Sequence, residues 1–252
     1  MILEKDIRHQ LILNEVHIHN RVLLSDLAKI LKVSIDTVRR DLKELDKLGK
    51  IKKVHGGAVS NGFNIYNDGI REIYAHENKS IIAQKGISLI NKGDVVLISG
   101  GTTNLELAKL LPPKLNLTFF TPSLPMAIEL LNSPANVDVI FIGGKLSKNS
   151  QLSTGGSAIN ILSELKVDIC FLGTGYLDPL NGITELDWEI AQLKKAMIKT
   201  SKKLVSLTIS EKLNTIHRYK ICEINTLDFL VTELDPNSPA LDEYKNQGLQ
   251  LI

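Results

Sequence analysis

Cysteine is nearly missing from this 252-residue chain: Cys170 and Cys222 are the only two. Both sit in apolar stretches, too few for a disulfide framework or a zinc site. A reducing cytosol is therefore the simplest compartment. Long hydrophobic runs are also lacking, none approaching the roughly 18 residues of a membrane span, and the N-terminus has no signal-peptide pattern. No membrane partner is expected. There is no metal-ligand spacing and no supported Ser/His/Asp or Cys/His arrangement. The Gly-x-Gly-x-x-Gly turn of a dinucleotide site is absent too, so no cofactor is expected. Internal repeats and low-complexity tracts are also missing.

What is present is ordinary in bulk: 43 % hydrophobic and 23 % charged residues, the balance of a soluble globular protein. The length allows one large domain or a small one joined to a medium one. The formal charge of +2 hides an asymmetry. Residues 1–60 carry 12 Lys/Arg against 8 Asp/Glu and four of the six histidines, whereas the rest carries 18 against 20. A mildly basic head on a slightly acidic body points to a polyanion met by the head alone.

Within that head the spacing predicts three helices and a hairpin. Ile7, Leu11 and Ile12 recur at helical spacing, and Asn20-Arg21 marks a turn. Ser25 is expected to N-cap a helix from Asp26 to Leu31, and Ser34 a third helix running to about Leu48. Gly49 supplies the left-handed residue that commonly ends a helix. Ile51 and Val54 with interleaved lysines read as a short strand, and Gly56-Gly57 as the turn of a wing. On the third helix Ile35, Val38, Leu42 and Leu45 form an apolar stripe. Ser34, Asp36, Thr37 and Arg40 then face outward with Arg39 and Lys43 beside them, while Asp41 is expected to pair with a nearby basic residue. Short polar side chains near a helix N-terminus meet base edges, and guanidiniums grip guanine or phosphate bidentately. Lys52, Lys53 and His55 on the wing would follow the backbone or reach the minor groove. The expected partner is double-stranded operator DNA.

Residues 1–58 thus form a winged helix-turn-helix, and 59–75, with Asn61-Gly62, Asn64 and Asn67, read as a linker. From 76 to 252 apolar strands alternate with helices, the pattern of an α/β domain with a mostly parallel sheet covered on both faces. Expected strands are Val95–Ser99, Leu117–Thr121, Val137–Ile142, Ile169–Gly173, Leu204–Ile209, Phe229–Thr232 and Leu249–Ile252. Expected helices include Asn104–Leu111, Pro125–Leu131, Ala158–Leu165 and Trp188–Ser201. A strand followed by a small-residue loop and a helix recurs. Ser99-Gly100-Gly101-Thr102-Thr103-Asn104 opens a helix, where hydroxyls and free amides favour an anion. Ser123, Gly143-Gly144-Lys145, Gly155, and Gly173 with Gly175 follow similar breaks. In open α/β sheets ligands bind beyond the carboxyl ends of strands, so these loops are expected to share one crevice.

The N-terminal run Val33-Ser34-x-x-Thr37-Val38-Arg39-Arg40-Asp41-Leu42, with Leu45, Gly49 and His55-Gly56-Gly57-Ala58, resembles the DeoR family of bacterial transcription regulators nearly residue for residue. The resemblance extends over essentially the whole chain. It implies a repressor of a carbohydrate-use operon, acting as a homodimer or homotetramer. Its sensor domain would be similar to ribose-5-phosphate isomerase-like proteins and bind a phosphorylated sugar. It further implies Asp187, Lys194 and Lys212 as pocket positions, the lysines as anion partners. Four positions depart from the family pattern: Ser99, Pro122, Ile190 and Ile209 replace its common Asp, Asn, Glu and Asp. The competing reading is a sugar-phosphate isomerase with a DNA-binding head. Its general base would have to come from Glu185, Asp187 and Glu189, a cluster that also reads as an acidic helix start.

Overall fold

Paired apolar stripes and well-placed helix ends shape the first of two compact units, Met1–Tyr74 and Ala75–Ile252. A computed structural model describes residues 3–61 and 74–252. In chain order the first unit contains α1 (Lys5–His19), β1 (Arg21–Leu23), α2 (Leu24–Leu31), α3 (Ile35–Lys47), β2 (Lys52–Val54) and β3 (Gly57–Val59). Asn20 and Lys32 end α1 and α2 in the left-handed conformation. Ser34 caps α3, its hydroxyl accepting the Thr37 N–H at 3.1 Å, and Gly49 (φ +68°) turns the chain into the wing. Ile12, Val16, Leu27, Leu31, Val38, Leu42, Leu45 and Ile51 meet in one core. Each fully buried side chain of this size contributes roughly 1.5–3 kcal/mol. That burial, more than intrinsic propensity, holds helices as short as α2.

The head departs from expectation in four places. Leu23, not Ser25, occupies the N-cap of α2, because β1 runs directly into the helix and Gly56 O accepts the Leu24 N–H at 2.8 Å. The Ser25 hydroxyl instead meets the Asp26 carboxylate at 3.2 Å. Strand β1 was too short to leave a periodicity; it pairs with β3 in the order β1-β3-β2. Ile35 is 47 % exposed at the first turn of α3, so the buried stripe there is Val38, Leu42 and Leu45. Finally, Val59 lies in β3 opposite Arg21, and the Ser60 N–H just after it donates to Asn20 O at 2.8 Å, so the wing sheet runs one residue past the expected boundary. Asn64 and Asn67 of the expected linker lie outside the described residues.

The second unit follows the alternation read from the sequence. Its elements are α4 (His76–Ile87), β4 (Val95–Ile98), α5 (Thr102–Lys109), β5 (Leu117–Thr121), α6 (Leu124–Asn132), β6 (Val137–Phe141), β7 (Lys145–Leu146), β8 (Ser153–Thr154), α7 (Gly156–Ser163) and β9 (Val167–Leu172). There follow β10 (Tyr176–Asp178), β11 (Gly182–Glu185), α8 (Trp188–Thr200), β12 (Ser201–Leu207), β13 (Tyr219–Cys222), β14 (Phe229–Val231), α9 (Asp242–Lys245) and β15 (Gln250–Leu251). All seven expected strands enter one parallel sheet ordered β15-β14-β12-β9-β4-β5-β6. Runs such as Val96-Leu97-Ile98 are buried on both faces, as a covered parallel sheet requires. Strand β12 starts at Ser201, three residues before the expected Leu204, pairing Ser201 with Val167. A second sheet, β10-β11-β13, and the β7-β8 hairpin are additions made of strands too short to be read.

The order of this sheet fixes where a ligand can go. From β4 the chain winds outward through β5 to β6, then returns to β9 on the other side of β4 and winds away through β12. The strand order reverses between β4 and β9, and at such a reversal ligands of open α/β sheets bind beyond the carboxyl ends of the strands.

Candidate functional site

In the head the expected contact residues share one outward face. Ser34, Asp36, Arg39, Arg40 and Lys43 on α3 are exposed, as are Lys52, Lys53 and His55 on the wing, with Thr37 half-buried. Arg39 lines one concavity together with Lys53 and His55. Both arginines are held in place: Arg39 pairs with the Asp36 carboxylate, and the Arg40 Nε donates to Asp36 O at 3.4 Å. Asp41 points the other way. It is buried and accepts from Arg8 Nε and Nη2 at 2.8 and 3.0 Å, the paired role expected of it. That ion pair ties α1 to the inner side of α3 and leaves the outer side to Arg39 and Arg40.

In the sensor unit, the loops after β4, β5 and β9 meet. Ser99 N–H donates to Phe171 O at 3.0 Å. A Cβ at Gly100 would stand 3.1 Å from Ser123 Oγ, and one at Gly173 would collide with Gly100 O. Glycine at 173 is thus what lets the two loops lie this close. Gly101 adopts φ +134° as N-cap of α5, and no side chain caps that end. Its first-turn amides, with the buried Thr102 and Thr103, face the position where an anion is favoured. The Ser99 hydroxyl is fully buried and has no hydrogen-bond partner among the described residues.

Other expected residues also hold the fold together. The Asn104 amide donates to Ser99 O and Phe171 O at 3.1 and 3.3 Å, stitching α5 to β4 and β9. Asp187 caps α8, accepting from Glu189 and Ile190 N–H at 3.1 and 3.3 Å. Gly143, Gly144 and Lys145 lie out at the β7-β8 hairpin, where Lys145 is exposed and pairs with Glu189 at 3.1 Å. Gly144 (φ +147°) sits so close to Thr154 O that a Cβ would be 2.9 Å away. Gly155 (φ +86°) is the N-cap of α7, and a Cβ at Gly175 would stand 3.7 Å from the Glu185 carboxylate. Each member of the candidate carboxylate base is therefore engaged: Glu185 by Lys194, Asp187 by the α8 amides, and Glu189 by Lys145.

The lysines supply the electrostatics. Lys194 is 5 % exposed and pairs with Glu185 at 2.6 Å, so its charge is already balanced. Lys212, 9 % exposed in a 3-10 turn after β12, donates to Thr174 O at 2.8 Å. Burial pushes Lys212 down to about 7, helped by repulsion from Lys79 and Lys194 and opposed by Glu185. Lys79, 3 % exposed on α4, is pushed down to about 8 by burial, with Glu211 and Glu106 acting against the shift. Lys79 was missed in the sequence. The signal was there: with Ile82, Ala83 and Gly86 it occupies the buried stripe of α4, a lysine where the period calls for an apolar residue. The four family departures are all buried: Ser99, Pro122, Ile190 and Ile209. They add no carboxylate to oppose these cations.

Two family models match the chain: the DeoR-like helix-turn-helix domain over residues 8–62 and the DeoR C terminal sensor domain over residues 74–234. The chain belongs to the DeoR family. Among DeoR-type relatives, the HTH-type transcriptional regulator GolR of Listeria innocua is 33 % identical, covering 92 % of this chain and 91 % of that protein. The HTH-type transcriptional repressor GlcR of Bacillus subtilis is 31 % identical over 93 % of this chain and 90 % of its own. The glycerol-3-phosphate regulon repressor of Haemophilus influenzae is 28 % identical over 99 % and 97 %. Among solved structures, ribose 5-phosphate isomerase A from Neisseria gonorrhoeae is 13 % identical with a TM-score of 0.41, covering 54 % of this chain and 53 % of that one, a loose likeness. Like those relatives, this DeoR-family chain is a helix-turn-helix transcription regulator.

Proposed function

We propose that this protein represses a carbohydrate-use operon and that a phosphorylated sugar, or a related anionic metabolite, tunes its hold on the operator. In this reading α3 enters the major groove. Arg40, Thr37 and Asp36 meet base edges there, Arg39 and Lys43 meet phosphates, and Lys52, Lys53 and His55 follow the backbone from the wing. The protein acts in the cytoplasm as a homodimer or homotetramer, which suits paired half-sites spaced by about a helical turn or its multiples.

The observation that carries the effector half is the buried Ser99 hydroxyl, which lies without a hydrogen-bond partner among the described residues beside the open N-terminus of α5. Lys79 and Lys212 lie within 9 % exposure of complete burial, and each is pushed below the ordinary lysine range. The hydroxyls of Ser99, Thr102 and Thr103 and the open end of α5 add donors suited to phosphate oxygens. An anion that binds one placement of the heads better than another shifts operator affinity by its differential affinity, typically 5- to 150-fold for about 1–3 kcal/mol.

Thermal-shift screening of phosphorylated sugars and sugar acids, followed by operator gel shifts with each hit, tests the reading. The expected result is a ligand that raises the melting temperature by mass action and changes operator affinity. A ligand that is instead turned over, seen by NMR as aldose–ketose interconversion, would favour the isomerase reading.

A further inference from the structure

A chain of hydrogen bonds leads away from the reversal between β4 and β9. A Cβ at Gly173 would stand 3.3 Å from the Ser99 hydroxyl, so the loop after β9 borders the candidate anion site. The next residue of that loop, Thr174, is bonded on both its groups. Its carbonyl accepts from Lys212 Nζ at 2.8 Å, and its hydroxyl meets Ser206 Oγ at 2.6 Å. Ser206 Oγ in turn meets Thr208 Oγ1 at 2.6 Å. Thr174, Ser206, Thr208 and Lys212 are all buried. Such a row is stiff, because leaving any buried member unpaired is costly.

The row continues beyond Lys212. Its turn, Ser210–Lys212, is fastened at the start by Glu233. The Glu233 carboxylate accepts the Ser210 N–H at 3.0 and 3.1 Å and the Ser210 hydroxyl at 2.5 Å. It also accepts from Asn78 Nδ2 of α4 at 3.4 Å. On either side of Glu233, the carbonyls of Thr232 and Leu234 accept from Lys85 Nζ at 2.8 and 3.0 Å. Asn78 and Lys85 lie about two turns apart, on one face of α4. Residues 232–234 are therefore gripped by α4 on one side and by the Lys212 turn on the other, through charge-assisted bonds. Helix α4 is the first helix of the second unit, the point at which the chain arrives from the head.

We propose that Glu233 and Lys85 are the coupling residues of this regulator. Through them an anion bound at the Ser99 hydroxyl and the α5 N-terminus is felt at α4, and so where the chain enters from the DNA-binding unit. Neither side chain touches the anion or the operator; each positions a neighbour. This coupling rests on the regulator reading above and adds the route by which its two halves communicate. Contact alone does not show that one site biases another, so the route has to be cut.

Hydrogen–deuterium exchange of the full-length protein tests it, in millimolar inorganic phosphate against chloride of equal ionic strength. In the wild type, phosphate is expected to slow exchange several-fold both at the site, residues 99–109, and in α4, His76–Ile87. Glu233→Gln keeps the size but loses the charge and one acceptor, and Lys85→Met keeps the apolar stem. Both should retain the slowing at 99–109 and lose it in α4. Melting curves check that each variant is folded, and if one is not, the other carries the test. Slowing lost at both segments would make these residues mere supports of the site. Slowing of α4 that persists in either folded variant would mean that the anion reaches α4 directly, as through Lys79. Either result overturns the coupling, as does a wild-type α4 that ignores phosphate while 99–109 responds. If 99–109 is silent too, the anion site itself is refuted and the coupling with it. Operator gel shifts on the same samples report separately on the head.

Discussion

The two units use positive charge in opposite ways. In the head, Arg39, Arg40, Lys43, Lys52 and Lys53 are exposed on one face. In the sensor unit, Lys79, Lys194 and Lys212 are withdrawn from solvent. Exposed cations cost the fold almost nothing and contribute little to it. Their effect appears when a polyanion displaces its counterions, which makes it large, long-ranged and salt-sensitive. Buried cations are costly to leave alone and are balanced within the fold, as Lys194 is by Glu185.

Breaking the exposed side should have the largest effect. Arg40→Ala is expected to lower operator affinity by about two orders of magnitude, within the roughly 1–3 kcal/mol of a bidentate base contact plus lost phosphate attraction. Circular dichroism should be unchanged, and gel shifts at several salt concentrations would read the loss. An affinity equal to wild type would remove Arg40 from the interface. Breaking the buried side comes next. Lys212→Met keeps the apolar stem and removes the charge. The protein should bind operator as before but lose the roughly 5- to 150-fold ligand response. If ligand titration is unaffected while operator binding falls, the two roles have been assigned the wrong way round.

Asp41 sharpens the contrast, being a buried charge inside the head. Asp41→Ala strips Arg8 of both its carboxylate bonds and should destabilise the head by about 2 kcal/mol. Urea denaturation measures this, and a change under about half a kcal/mol would show the pair to be solvent-screened. A further effect is in pH. Lys212 titrates near 7 in the folded chain, against about 10.4 when unfolded. Between those values the unfolded chain binds more protons, so this group makes stability rise as pH rises, and its penalty is complete below about 7. Ligand-free wild type should therefore show a steeper rise in melting temperature between about pH 7 and 9 than Lys212→Met does. Parallel curves would contradict it.

Much of this was legible in the chain. Repeated, mostly apolar runs of four to six residues gave all seven parallel strands, since strands covered on both faces leave little room for polar residues. The cap at Ser34 and the turn at Gly49 were equally plain, because each depends on the chemistry of a single residue. The failures share a cause. Strand β1 exists only because β3 lies beside it, and Ser25 loses the N-cap to Leu23 because Gly56 O meets the Leu24 N–H. Lys145, Asp187 and Asn104 were expected on residue type alone; the structure adds contacts to a distant neighbour or a helix end that no local pattern encodes.

The sequence by itself determined the two-unit order, the strands of the main sheet, and an outward row of cations on α3. These follow from periodicity and local chemistry within a few residues. Only the tertiary structure decided which charges are buried, that Lys79 on α4 influences Lys212 more than 130 positions away, and that β6 is the last strand on its side of the sheet among the described residues. Solvation and strand neighbours depend on what the rest of the chain brings alongside, and no local pattern encodes that.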